Sequence, residues 1–220
     1  MSLRRKTGFT QYRGHQRIEG PDVEPVTVAE VREYLRLEDD GDDATLELLI
    51  ASAREQFEAI SGRALINQKW RLTLDHWPSG GGEPWWDGVK QGAVSDLVAS
   101  GRPGRLTLPV YRLQSVDSIA TDGKAIDVDK FIVDTEQEPG RLVPKAGATW
   151  PVALQRANAI VIEYTAGYGA APEDVPAALR LGILQFVAYL YENRGDCPAE
   201  EAMRKSGAAA SFNRYTVARL

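Results

Sequence analysis

Residues 61–75 read Ser-Gly-Arg-Ala-Leu-Ile-Asn-Gln-Lys-Trp-Arg-Leu-Thr-Leu-Asp, and the hydrophobic period changes inside them. Upstream, Leu46, Leu49, Ile50, Ala53, Phe57 and Ile60 recur at spacings of three and four. That is the apolar stripe of an amphipathic helix, and Gly62 is placed to end it in the left-handed conformation. Downstream, Trp70, Leu72 and Leu74 alternate with Arg71, Thr73 and Asp75, the period of a half-buried strand.

Toward the N-terminus, Thr27 and Glu30 have capping-box spacing, and Val26 with Val31 fits a hydrophobic staple. A first helix is therefore predicted over 27–37 and a second over 43–61, joined as a helical hairpin. The acidic run Glu38-Asp39-Asp40-Gly41-Asp42-Asp43 fails as a calcium loop, because counting back from Gly41 puts Arg36 at the first ligand position. It is expected to be a turn in which Asp42 or Asp43 caps the second helix. Toward the C-terminus, strand patterning continues across 65–166, interrupted by a Gly-rich loop over 78–104. Asp122-Gly123 signals a hairpin, and Glu138-Pro139-Gly140 a turn between strands near 131–134 and 141–144. Asp174 is expected to cap a third helix, 175–193, carrying Leu179, Ile183, Phe186, Val187 and Leu190. Helices, then strands, then a helix make an α+β protein: a bundle of N- and C-terminal helices with a central β-rich insertion. An extended arm over 1–24, a body over 25–195 and a C-terminal tail over 196–220 complete the expected organisation.

The 220 residues have an ordinary globular composition, 43% hydrophobic and 26% charged. No run reaches the roughly 20 apolar residues of a spanning helix, and Met1 to Arg17 lacks the apolar core of a secretory leader. Cys197 is the sole cysteine, which excludes an internal disulfide. The net charge of -5 conceals a division: residues 1–20 and 202–220 each carry +4, leaving -13 for the body. An acidic body argues against a nucleic-acid-binding domain.

The chain lacks the motifs of common chemistries. His15 and His76 belong to no metal-binding helix, and no nucleophile elbow or phosphate loop occurs. Gly167-Tyr168-Gly169-Ala170-Ala171-Pro172 begins like a dinucleotide loop but carries Pro where the third Gly belongs. Neither a catalytic residue nor a cofactor is assigned. Trp85-Trp86 suits a sugar-stacking or partner-contact platform, or a pair folded back onto the body. Phe212, Arg214, Tyr215, Val217, Arg219 and Leu220 combine aromatic, aliphatic and arginine side chains as interface anchors do. With Arg4, Arg5 and Lys6 of the arm they make up the candidate partner-binding set. Removing 202–220 is expected to leave a folded body.

Three stretches then take on a joint meaning. They are Pro25–Val31 with Leu35–Leu37 and Leu46–Ile50; Ser61–Gln68 with Trp70 and Leu74; and Tyr164 with Ala166-Gly167-Tyr168-Gly169, Val175–Leu179 and Tyr191–Arg194. Their order and spacing resembles the head–tail connector (adaptor) family of tailed bacteriophages, prophages and gene transfer agents, over roughly 24–195. The resemblance implies a non-enzymatic virion protein. About a dozen copies would form a ring between the portal protein and a stopper or tail-completion protein. Double-stranded DNA would pass through the ring without sequence-specific binding, and neither a membrane nor a cofactor would take part. It places the chain in the virion neck, and in the host cytoplasm during assembly. The rival is a virion-associated carbohydrate-binding module or enzyme using Trp85 and Trp86.

Overall fold

A computed structural model describes residues 13–78, 104–155, 157–195 and 198–215. The chain divides into a β-rich unit, Met1–Glu19 with Lys69–Pro109 and Leu113–Thr165, and a helical unit, Gly20–Gln68 with Val110–Arg112 and Ala166–Leu220.

The helical unit holds α1 (Val28–Leu35), α2 (Asp43–Ser61), α3 (Ala177–Glu192), α4 (Ala199–Lys205) and α5 (Ala208–Asn213). The Thr27 hydroxyl accepts from the Glu30 amide at 3.2 Å while the Glu30 carboxylate accepts from the Thr27 amide at 2.7 Å, the expected capping box. Arg36, at φ 58°, closes α1. Gly62, at φ 71°, closes α2 as its position implied. Two caps differ from expectation. Asp42 stands at the N-cap of α2 without a side-chain bond to the helix, and its carboxylate instead accepts from the Tyr191 hydroxyl. Asp174 lies in a short 3₁₀ turn and accepts from the Ala171 amide at 3.0 Å, so α3 starts only after Pro176.

Helix α3 is central to this unit and touches all four others. It buries Leu179, Gly182, Ile183, Phe186 and Val187. Around it pack Val31 of α1, Leu46, Ile50, Ala53 and Phe57 of α2, and Ala202, Met203, Ala208 and Phe212 of the last two helices. Ile60, counted in the α2 stripe by spacing, is 47% exposed, so the buried stripe ends one turn earlier. The expected tail is therefore folded over 199–213, because its small residues let two short helices approach α3 closely. At Gly182 a Cβ would stand 2.6 Å from the Phe212 ring, so glycine here makes room for that ring.

In the β-rich unit, β1 (Arg13–Glu19), β2 (Gln68–Leu74), β8 (Ile160–Ala166), β4 (Leu113–Thr121) and β5 (Lys124–Ile126) form one sheet in that order. The arm is thus a strand over 13–19, antiparallel to β2 with Arg13 opposite Leu74 and Arg17 opposite Trp70. Strands β3 (Leu106–Thr107), β7 (Arg141–Pro144) and β6 (Phe131–Asp134) form a second sheet. Alternation along β8 buries Ile160, Ile162, Tyr164 and Ala166. Asp122-Gly123 is the β4–β5 turn and the segment with the cis Glu138–Pro139 bond joins β6 to β7, both as the turn residues indicated. Gly140 lies so close to β4 that a Cβ would come 2.5 Å from the Leu113 side chain.

Candidate functional site

Arg4, Arg5, Lys6, Trp85, Trp86, Val217, Arg219 and Leu220 lie outside the described residues, as do residues 79–103 of the long loop. Phe212 is 2% exposed, with its ring 4.7 Å from that of Phe57, so it serves the chain's own core instead of standing free for a partner. Arg214 is exposed just beyond α5. Tyr215 packs against the same core, and its carbonyl accepts from Arg63 Nε at 2.6 Å. Arg63 is buried and holds its guanidinium over the Tyr111 ring, 5.4 Å from the centroid. The last described residue is therefore fixed in place, five residues before the end of the sequence.

Sequence periodicity missed a buried polar cluster in the helical unit. Arg54, one turn before the end of the α2 stripe, is 4% exposed. Its Nε and Nη2 fork onto the two oxygens of Glu24 at 2.8 and 3.2 Å, and its Nη1 reaches Glu58 at 3.1 Å. The other Glu58 oxygen accepts from the Leu65 amide at 3.0 Å and from Gln68 Nε2 at 2.7 Å. Arg54 and Glu58 thus tie the segment preceding α1, the end of α2 and the start of β2 together. Burial pushes the Glu58 carboxyl above its ordinary range, against the opposing pull of the Leu65 amide, Arg54 and Gln68. The only hint in the sequence was the i,i+4 spacing of Arg54 and Glu58. Nearby, the turn after β8 packs backbone on backbone: a Cβ on Gly167 would lie 2.5 Å from the Asn67 nitrogen.

Among the described residues the β-rich unit carries two aromatic groups. His15 stacks on Trp70 at 4.8 Å and 9°, and its Nε2 lies 2.9 Å from the buried Tyr164 hydroxyl. Desolvation against these rings lowers the His15 pKa. Trp77, Phe131 and Trp150 stack at 4.5 to 6.4 Å, and Trp150 Nε1 donates to the Gly104 carbonyl at 3.0 Å. His76 is exposed. On an exposed part of the sheet, Glu163 accepts from Arg71 at 2.6 Å and from Ser118 at 3.2 Å, and the Arg71 bond holds its carboxyl below the usual range.

Among the described residues of this unit, the most exposed large hydrophobic ones are Val152 and Leu154, at 78% and 82%. Their segment is clamped: the Asp122 carboxylate accepts from the Leu154 amide at 2.8 Å and the Gln155 amide at 3.1 Å. Beside it opens a concavity of about 340 Å³, walled by β4–β5 residues including Lys124 and Ile126, and by Pro151. Among the described residues no group of three His, Cys, Asp or Glu side chains forms a metal cluster, and no helix is long and apolar enough to cross a membrane.

The fold has solved counterparts. A chain from the neck of an empty gene transfer agent particle, computed with C6 symmetry, superposes with a TM-score of 0.71 over 94% of this chain and 97% of that one, at 21% identity. The chain shares the fold of a component of that neck. Chains of the native neck computed with C12 symmetry and of the native virion superpose with TM-scores of 0.69 and 0.68, again at 21% identity and 94% of this chain, covering 97% and 96% of theirs. No protein-family model and no curated protein matches the sequence. The neck fold accounts for folded segments at both ends of the sequence, since the superposition extends well beyond the 24–195 stretch of the sequence resemblance.

Proposed function

We propose that this chain is a structural head–tail connector (adaptor) of a virion neck, without enzymatic activity. One observation carries the reading: the neck fold matches over 94% of this chain and 97% of its counterpart. In this reading a ring of twelve copies sits beneath the portal protein and joins it to the stopper or tail-completion protein. The C12 symmetry used for one of the matching necks agrees with that number. DNA passes through the ring, and the body's charge of -13 repels the duplex and lets it slide. The chain would assemble in the host cytoplasm and remain in the neck.

The C-terminal end is the proposed portal contact. Because Arg63 fixes Tyr215 and Phe212 is core, the attaching residues are Val217, Arg219 and Leu220, with Arg214 at their base. Deleting residues 216–220 should leave the far-ultraviolet circular dichroism of the purified chain unchanged and abolish its recovery with portal-bearing particles. Normal particles from that truncation would remove the portal contact from this end. An image of the neck that places this chain elsewhere, or reveals a basic channel wall, would overturn the connector or the sliding reading respectively.

A further inference from the structure

We propose that the clamped Val152–Leu154 segment, with Lys124, is one half of a subunit–subunit interface, and that the half it meets on the next copy is the exposed face of α2 around Glu47 and Leu48. This deepens the ring reading and rests on it.

Three observations lead there. First, Val152 and Leu154 are 78% and 82% exposed, yet the Asp122 carboxylate holds the backbone at Leu154 and Gln155. A segment whose backbone is already ordered loses less entropy when a partner covers its apolar side chains, which favours binding. The adjoining strand β5 is an edge of its sheet, so neighbouring backbone is also unpaired on that side. Second, among the described residues of the helical unit Leu48 is the most exposed large hydrophobic one, at 70%, and Glu47 beside it is exposed. Third, the charges are complementary. Lys124 lines the concavity next to Leu154, and among the described residues neither the Lys124 nor the Glu47 side chain has a hydrogen-bond or ion-pair partner.

The pairing must be between unlike patches. A two-fold contact of the Leu154 patch with itself would bring Lys124 toward Lys124, and one of the Leu48 patch would bring Glu47 toward Glu47. A contact of one patch with the other on the next copy is heterologous, the kind that closes rings.

The test is charge exchange in assembled necks. Lys124→Glu and Glu47→Lys should each lower the amount of this chain in purified necks, by up to about fivefold per interface for an exposed pair. The double variant should restore it. Leu154→Asp should lower it more than tenfold, with the circular dichroism of the purified chain unchanged. As a second readout, Leu48→Cys plus Leu154→Cys in a Cys197→Ser background should give a ladder of multimers with a short bis-maleimide, and neither single variant should. Dimers from Leu154→Cys alone would overturn the proposal in favour of a two-fold contact. Necks that contain the chain but show neither rescue nor ladder would overturn the interface and leave the connector reading standing. Necks without the chain would overturn both.

Discussion

Replacing Arg54 by alanine tests the buried polar cluster. The arginine side chain is 5% exposed and that of Glu58 10%, whereas Glu24 is 31% exposed. Losing Arg54 leaves Glu24 able to recover water but strands Glu58 in a largely dry site. Breaking a buried pair from one side typically costs about 3–5 kcal/mol. Glu58 keeps its bonds from the Leu65 amide and Gln68, so the lower end of that range is expected. Glu24→Gln should cost at most about 1 kcal/mol, since its site is exposed enough for solvent to screen the loss. Arg54→Ala combined with Glu58→Gln should cost less than the two single changes added, because the stranded charge is gone. Among the described residues all five α-helices belong to the helical unit, so urea unfolding followed by circular dichroism at 222 nm follows their loss. A loss below about 1 kcal/mol for Arg54→Ala would refute the claim that this cluster ties the unit together.

Phe212→Ala should cost about 3–5 kcal/mol in the same assay, as a buried aromatic truncation does; a loss under about 1 kcal/mol would return Phe212 to the surface. For the same reason, deleting 202–220 should unfold the helical unit, whereas deleting 216–220 should not. Gly167→Ala should destabilise by about 1–3 kcal/mol, because its methyl group meets Asn67 backbone that no side-chain movement can relieve. Two groups give opposite pH dependences. His15 has a folded pKa below its ordinary 6.5, so the unfolded chain binds more protons in the window just below 6.5. Stability therefore falls on acidification through that window, and His15→Phe should flatten the slope as read by tryptophan fluorescence. Glu58 has a folded pKa above its ordinary 4.5, so the folded chain binds more protons just above 4.5. Its contribution falls as pH rises there, and Glu58→Gln should remove that slope from the 222 nm transition.

Local physics made much of the fold legible. The Thr27–Glu30 box, the Gly62 stop, the β2 alternation and the Asp122-Gly123 turn each involve residues within a few positions of one another, and all occur. What escaped is non-local. The strand character of 13–19 comes from pairing with β2, some fifty residues away, and the segment has little apolar content to announce it. The small residues of 199–213 suit helices only because α3 offers a surface to pack on, with Gly182 leaving space for Phe212. Phe212 therefore had the composition of an interface anchor and the position of a core residue. Val152 and Leu154 failed to stand out because two apolar residues in a loop are ordinary; their significance comes from the Asp122 clamp, which spans more than thirty residues.

The completeness of the helical core bears on how assembly proceeds. Phe57, Phe186, Leu46 and Ile50 are all 1% exposed or less without any neighbour present. Folding of this unit therefore needs no partner, and association must draw on isolated exposed residues such as Leu48, Val152 and Leu154. Covering an exposed leucine or valine is worth about 1.5–3 kcal/mol, so three of them yield roughly 5–9 kcal/mol before any loss of translational and rotational freedom. That loss is of the order of 4–15 kcal/mol, so one interface alone should not hold two free copies together at micromolar concentration. In a ring each copy has two neighbours, and a portal contact adds a third attachment, which converts weak contacts into intramolecular ones. The purified chain should then sediment as a monomer at micromolar concentration and become a stable ring only on a portal-bearing particle. A stable ring formed by the purified chain alone at that concentration would show that the exposed patches are larger contributors than this estimate allows.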